Sequence, residues 1–424
     1  RRQLLDHPEG FLQASGVDAG LVHPVNATGG YIGVRFTSTR HARSFVARHR
    51  TQVPLTGNAR TRVADMVRAA VLTESGAPLR VADIDLPEPG PGQVRVRIAA
   101  TGVCHSDLSL ARGVLRQPTP AVLGHESAGT VVSVGPGVTV AAPGDRVVLC
   151  WAPPCGACWF CEQNEPWLCE HSSDAATAPY ATYDGQDLYP GLSTAGFAEE
   201  TVVSERAVIP VPDGVPLEQA ALVGCAVMTG VGAVLNTAKV RAGQSVLVVG
   251  LGGVGLSVVQ GARLAEAGKV IAVDRSPDKL ALAQSMGATD VREAGDDLAK
   301  QVRGLTERRG VDHAFDCVGL ADTIRTSWSA TRRGGSTTIV GIGGKEQQVT
   351  FTALELFHFA RTLQGCVYGS TDPMSDIPKI LGYAAEGRLD LGALISGTIG
   401  LDGIDGAFAD MEKGVGARAV VVPA

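Results

Sequence analysis

The sequence predicts an α/β protein in which a small, partly closed β-barrel is joined to a doubly wound parallel sheet. Three observations predict it. From Met66 to about Leu149, short alternating strands are cut by Gly/Pro turns, the pattern of mostly-β structure. From Ser245 onward, apolar strands alternate with helical segments, as strands covered on both faces do. A glycine-rich turn joins the first of those strands to the first of those helices.

Length and charge narrow the function classes. A chain of 424 residues with 45% hydrophobic residues can bury large cores and divides into two or three domains. A formal net charge of -6 and the lack of a long basic run argue against a nucleic-acid or anionic-membrane partner. No apolar stretch is long enough to span a bilayer, and the N-terminus lacks the basic-then-apolar pattern of a secretion signal. The expectation is a soluble, cytoplasmic protein. Nine cysteines, several at short regular spacing, suit metal ligation in a reducing compartment better than a disulfide framework.

Residues 1–65 differ from the rest. They are rich in arginine and hold no lysine, cysteine or methionine; the first methionine is Met66. Asp6, Glu9, Asp18 and a strand-like run at 31–36 fit a targeting peptide poorly. A peripheral or artefactual extension is expected, the competing reading being a small functional appendage.

The barrel elements come next. Val67 to Leu72 alternates as an opening strand, Gln93 to Ala99 and Ser127 to Val134 as further strands, and the turn at 142–145 feeds Arg146 to Leu149. No helix of length is evident among them. Within this region stand Gly102-Val103-Cys104-His105-Ser106-Asp107 and Gly124-His125-Glu126. One thiolate and one imidazole, each flanked by groups able to orient it or relay a proton, are what an open catalytic zinc site needs, and a third ligand is wanting.

The strongest local motif follows. Cys155, Cys158, Cys161 and Cys169 read C-x2-C-x2-C-x7-C, and four thiolates at that spacing wrap one tetrahedral zinc with every position filled. Such a closed site does no chemistry and serves to pin a lobe with little core. A redox Cys-x-x-Cys pair is the competing reading, but four cysteines exceed what a dithiol needs. Cys150 nearby reads as a small buried apolar residue in a strand.

In the second part, Ser245 to Val249 is a buried strand that enters Gly250-Leu251-Gly252-Gly253-Val254-Gly255. A helix over Leu256 to Ala267 follows, then a strand from Val270 that ends in Asp274. In this order the glycines let the backbone approach a pyrophosphate, the helix N-terminus offers free N–H groups, and Asp274 accepts hydrogen bonds from a ribose. Asp274 repels a 2′-phosphate and favours NAD over NADP, while Arg275 beside it tempers that preference. The segments at 311–319 and 334–341 continue the strand and glycine rhythm of a parallel sheet.

Between the two parts lies Gly224-Cys225-Ala226-Val227-Met228-Thr229-Gly230. With Cys104 and His125, Cys225 completes a Cys2His set, one of the catalytic-zinc types. GVCHSD, GHE, the four-cysteine lobe, the GC…TG junction and GLGGVG stand in one order and spacing. From Met66 to its end the chain thereby resembles the zinc-dependent medium-chain alcohol dehydrogenases of the medium-chain dehydrogenase/reductase superfamily. The resemblance implies a GroES-like β-barrel catalytic domain (66–227 and 368–424, with returning strands at 394–396 and 419–422) and an inserted NAD-binding Rossmann domain (228–367). It implies one catalytic zinc on Cys104, His125 and Cys225, with Glu126 beside it and Asp107 behind, and one structural zinc in the lobe. Ser106 takes the substrate proton, His105 and Arg418 meet the pyrophosphate, and Thr229 and Val254 lie near the nicotinamide. Asp274 and Lys279 meet the adenosine ribose, and Trp151 and Ile342 wall the substrate pocket. The implied reaction is reversible hydride transfer between a primary or secondary alcohol and NAD.

Two departures matter. Many relatives end the proton chain on a histidine five positions after the first cysteine ligand; here that position is Ser109, leaving His105 or bulk water. The branch that oxidises a glutathione adduct of formaldehyde carries an arginine four positions after the last lobe cysteine, and here stands Ser173. A thiol-adduct (S-hydroxymethyl type) formaldehyde dehydrogenase, a quinone reductase of the superfamily and a non-catalytic zinc- and nucleotide-binding relative are the alternatives. The loop expected over Glu170 to Glu200 is long, as in the family's dimeric members, and implies a homodimer with the loop overhanging the substrate channel.

Overall fold

Val67, Ala69 and Val71 turn inward along the first strand of the computed structural model, which describes residues 65–423. The strand expected at 31–36 and the rest of the extension at 1–64 lie outside the described residues. That first strand, Asp65–Leu72, pairs antiparallel with Arg80–Leu86 and Ala121–Val122. Two more short strands, Ala181–Tyr183 and Gln186–Pro190, close these into a five-stranded barrel.

The closing pair corrects the expectation of a long loop over 170–200. Tyr183-Asp184-Gly185-Gln186 is a two-residue hairpin in which Asp184 (φ 49°) and Gly185 (φ 74°) both take the left-handed conformation. Asp-Gly favours that turn because its twist matches the strands it joins. Residues 181–190 of the segment are therefore barrel wall.

A second sheet packs beside the barrel in the order Val208–Pro210, Arg146–Leu149, Glu126–Val134, Gln93–Gly102, Arg418–Val421, Ile395–Ile399, with Glu200–Ser204 also on Gln93–Gly102. The late strand enters through Val420 opposite Gly102 and Val421 opposite Thr101, so the end of the described chain returns to a sheet built mostly from residues 93–210. Where no helix of length was expected, a short one, His105–Ala111, begins directly after Cys104, with the Asp107 side chain closing its first turn.

The third sheet has six parallel strands in the order Asp290–Glu293, Lys269–Asp274, Ser245–Val249, Val311–Asp316, Thr331–Ile339, Thr362–Gly365. The strand order reverses at Ser245–Val249, where an open α/β sheet leaves its binding crevice. The helix after it spans Gly253–Leu264 rather than 256–267, because the glycine-rich turn itself supplies the first helical turn.

The two parts meet through the helix Ala226–Gly232, every residue of which is buried. It lies so close to Gly253–Leu264 that a Cβ on Gly230 would stand 2.5 Å from Ser257 Cβ and from the Val254 carbonyl oxygen. Backbone approach of this kind fixes the angle between the metal-ligand segments and the glycine-rich turn. Met228, Val231, Leu256, Val258 and Val259 fill the contact, and each such side chain contributes about 1.5–3 kcal/mol when buried.

Candidate active site

Cys104 leaves the end of Gln93–Gly102 and occupies the N-cap position of the short helix. One turn on, Asp107 is fully buried. Its Oδ1 accepts from the Gly124 amide (2.9 Å) and from His125 Nδ1 (3.0 Å), and its Oδ2 accepts from the Cys104 amide (3.3 Å). One carboxylate thus fixes the backbone of one ligand and the ring of another. Cys225 stands at the break between the turn Leu222–Gly224 and the helix Ala226–Gly232. One ligand atom each from Cys104, His125, Glu126 and Cys225 all lie within 4.8 Å of one another, and all four residues are buried.

The donor set fits a zinc ion. His125 Nδ1 is committed to Asp107, while Nε2 is buried with no hydrogen-bond partner among the described residues. A buried imidazole nitrogen beside two thiols is costly unless a cation takes its lone pair. Charges agree: the Cys225 thiol, Arg418 and His125 hold Cys104 well below the usual thiol range, against the pull of burial. Burial disfavours a charged His125, yet Asp107 and Cys104 raise its pKa well above the ordinary value. Burial also pushes Glu126 up to about 8, opposed by Arg418.

The four-cysteine lobe fits a second zinc. Its sulfurs lie 3.6 Å (158–161), 3.8 Å (158–169) and 4.0 Å (155–161) apart; the edge of a tetrahedron with bonds of about 2.3 Å is roughly 3.8 Å. Backbone amides of Cys155, Ala157, Cys158 and His171 point at these sulfurs, as thiolates require.

A cleft of about 1160 Å³ runs from the first metal set along the glycine-rich turn to Asp274. Cys104, His125 and Cys225 line it, with Ser106 and Trp151 beside them. So do His105, Thr229, Gly250, Gly252, Gly253, Val254, Gly255, Asp274, Arg275, Lys279, Ile342 and Arg418. Glu126 does not; it sits behind the ligands, fully buried. Gly250 has φ 89°, and a Cβ at Gly255 would overlap the Gly250 carbonyl, so the turn needs glycine at both. Asp274 closes the turn from below: Oδ2 accepts from the Leu251 amide at 2.7 Å and Oδ1 from the Ser276 amide at 3.0 Å. His105 is held neutral chiefly by burial, its pKa lowered despite nearby Cys104.

Arg418 connects the two ends of the arrangement. Its Nη1 donates to the Val103 carbonyl (2.7 Å), its Nε lies 3.3 Å from Glu126 Oε2, and a Cβ on Gly253 would stand 2.5 Å from the guanidinium. Sequence reasoning missed Leu115, Leu192 and Tyr368, which also line the cleft. Leu192 lies in the segment expected as a long loop, just after the strand Gln186–Pro190, and nothing local marks Tyr368.

A family model described as "Alcohol dehydrogenase GroES-like domain" matches residues 90–213, and one described as "Zinc-binding dehydrogenase" matches 253–385. An S-(hydroxymethyl)glutathione dehydrogenase from Escherichia coli O1:K1 / APEC is 38% identical over 366 residues, 84% of this chain and 99% of that protein. Among solved structures, an alcohol dehydrogenase zinc-binding domain protein from Burkholderia ambifaria superposes with TM-score 0.81 at 33% identity, covering 85% of this chain and 99% of the other. The benzyl alcohol dehydrogenase from Acinetobacter calcoaceticus gives TM-score 0.79 at 29% identity, covering 85% and 100%. Two metal sets, a glycine-rich crevice and relatives aligned over nearly their whole length therefore agree: this chain belongs to the zinc-dependent medium-chain alcohol dehydrogenases, oxidoreductases that act on alcohols with zinc and NAD(P).

Proposed function

We propose that this enzyme oxidises an uncharged, largely apolar primary alcohol, such as an aromatic one, with NAD. The observation that carries this is the wall of the cleft at its metal end. Leu115, Trp151, Leu192, Ile342 and Val367 line the cleft together with Ser106, and the cationic side chains of the cleft, Arg275, Lys279 and Arg418, belong to its proposed cofactor end. An apolar wall binds a ring or alkyl chain by burial. A second reading has the relatives' name behind it: S-(hydroxymethyl)glutathione as substrate. That substrate brings carboxylates that call for paired cations, and Leu115 and Ser173 offer none.

Cys104, His125 and Cys225 are the proposed ligands of the catalytic zinc and Cys155, Cys158, Cys161 and Cys169 those of the structural one. Bound zinc supplies Lewis acidity toward the alcohol oxygen, and the nicotinamide accepts the hydride. Asp107 holds His125 Nδ1 and so leaves the buried Nε2 free for the metal. Ser106 Oγ receives the alcohol proton and passes it outward, with His105 or water beyond. Trp151 and Leu192 keep water from the reacting carbon, and Thr229 and Val254 shape the nicotinamide's berth. Arg418 and the amides of the glycine-rich turn take the pyrophosphate, and Asp274 and Lys279 the ribose. The acid at Asp274 supports NAD over NADP.

The proposed division assigns 66–227 and 368–424 to the catalytic domain and 228–367 to the cofactor domain. Support comes from Arg418–Val421, which pairs with Gln93–Gly102. We further propose a cytoplasmic homodimer. All nine cysteines are free, as a reducing compartment keeps them. The edge strand Thr362–Gly365 exposes Leu363, and the neighbouring helix Ala353–Phe359 exposes Leu354 (72%) and Phe357 (84%), an apolar rim that a second copy would cover.

Steady-state kinetics on benzyl alcohol, hexan-1-ol and S-(hydroxymethyl)glutathione, each with NAD and NADP, test the reading. The expected order puts benzyl alcohol with NAD first. A kcat/KM highest for the glutathione adduct would overturn the substrate class.

A further inference from the structure

Tyr368 also lines the cleft, and no step above uses it. It is buried, its ring lies 4.9 Å from that of Trp151, and Trp151 in turn meets the edge of the His125 ring at 6.3 Å. Its hydroxyl donates to the Gly224 carbonyl. That carbonyl belongs to the peptide that leads into Cys225, and the peptide on the other side is held too, by the Ala226 amide donating to Glu126 Oε1 at 3.2 Å.

The backbone goes to some length to deliver this hydroxyl. Tyr368, Gly369 and Ser370 have φ values of 49°, 72° and 49°, three consecutive left-handed residues of which only one is glycine. Such a turn costs L-residues energy and persists where its surroundings over-determine it. Here Thr371 Oγ1 donates to the Tyr368 carbonyl (2.6 Å), and Thr237 Oγ1 meets Ser370 Oγ at 2.8 Å. Gly369 is packed so tightly that a Cβ would stand 2.6 Å from the Met228 carbonyl oxygen. Met228 lies on the helix that begins after Cys225.

We propose that Tyr368 is a positioning residue for the catalytic metal. Its hydroxyl clamps the Gly224–Cys225 peptide and its ring, through Trp151, backs His125, so that one side chain from the late part of the sequence sets two of the three proposed ligands. The sulfur of Cys225 has no side-chain flexibility beyond χ1, so its place is set by the backbone on either side. Glu126 holds one side and Tyr368 the other. A phenol buried for packing alone would satisfy its hydroxyl on any nearby acceptor; this one lies against the peptide of a ligand and 3.6 Å from the Cys150 sulfur.

The inference rests on the ligand set proposed above, and the test separates the two. Wild-type protein is first assayed for zinc; two zinc ions per chain support the ligand set, and a single ion held by the lobe would sink that set, and this proposal with it, in the wild type. Tyr368→Phe, which keeps the ring, is then challenged with a chelator. Expected is release of the catalytic zinc about tenfold faster, with release from the lobe unchanged. The cobalt-substituted variant should show a shifted thiolate-to-cobalt absorption band. Cys150→Ala, which removes the other neighbour of the hydroxyl, should behave as wild type. Unchanged release with an unchanged band in Tyr368→Phe overturns the proposal. So does equal acceleration at both zinc sites, failure of Tyr368→Phe to fold, or a Cys150→Ala variant that matches it, since each would mean general loosening.

Discussion

Arg418 Nε lies 3.3 Å from Glu126 Oε2, and the two side chains are 5% and 0% exposed. Glu126 Oε2 has no conventional hydrogen bond, and the pair lies in a place that water does not reach. Removing the polar partner of a buried charge typically costs about 3–5 kcal/mol. Glu126→Leu, which leaves the Arg418 guanidinium without that partner in either protonation state of Glu126, should therefore lower stability by about that amount in denaturant melts. Because the freed guanidinium faces Gly253, NAD should raise the melting temperature of the variant more than that of wild type. Equal shifts would argue that Arg418 does not reach the pyrophosphate.

Gly102 tests the same cavity sterically. A Cβ there would overlap the Glu126 carboxylate and stand 2.9 Å from Leu222 Cδ2. Gly102→Ala should cost about 1–3 kcal/mol by overpacking and displace Glu126, read as a lower urea midpoint together with a lower kcat. A neutral variant would mean that the carboxylate has room to move.

Metal content separates the two sulfur sites. Cys161→Ser and Cys104→Ser should each reduce zinc from two ions per chain to one, measured by atomic emission. Only Cys104→Ser should abolish turnover while NAD still binds, followed by quenching of tryptophan fluorescence. Loss of NAD binding in Cys104→Ser would show that the metal set and the cofactor crevice are less separable than their geometry implies.

Acid sensitivity has an identifiable contributor far from the metals. Asp312 is partly desolvated, which alone would raise its pKa, but the Ser245 amide (2.8 Å), Ser245 Oγ (2.7 Å) and Arg332 Nε (2.7 Å) prevail and lower it. A carboxylate whose folded value is depressed adds stability above its unfolded pKa of about 3.9, and that share disappears as pH falls through the lower folded value. Asp312→Asn should thus be less stable than wild type at neutral pH, with the gap closing below about pH 4. A gap independent of pH would assign the loss to packing.

The exposed edge gives a test of assembly. Leu363→Lys with Phe357→Glu should leave the fold and zinc content intact and convert a dimer to monomer in analytical ultracentrifugation. A wild-type protein that sediments as a monomer, or a double variant that stays dimeric, would remove this rim from consideration.

What could be read from the sequence was whatever is carried by neighbours along the chain. The lobe cysteines lie within one loop, and the strand–glycine-turn–helix–strand order around Gly250 and Asp274 lies within a single unit, so spacing alone located them. The hairpin at Asp184-Gly185 reads as part of a long loop, because Ala181–Tyr183 has only 3 residues and Gln186–Pro190 only 5, too short to show a period of two. The Gly253 start of the helix was hidden because glycine reads as loop, though here the glycine-rich turn and the helix N-terminus share residues. Tyr368 was illegible in principle: its partner Gly224 lies 144 residues away, and no pattern in either segment announces the other.

The strand Arg418–Val421 has an implication for how the molecule comes into being. The Arg418 contact to Val103 spans 315 positions, and pairings so distant in sequence close late, after the loop-closure entropy of everything between them has been met. During synthesis the parallel sheet can form while Cys104, His125 and Cys225 still lack their cationic neighbour and one wall of their sheet. The sheet around the glycine-rich turn needs no residue beyond Gly365, whereas the surroundings of Cys104, His125 and Cys225 are complete only once Arg418–Val421 has joined Gln93–Gly102.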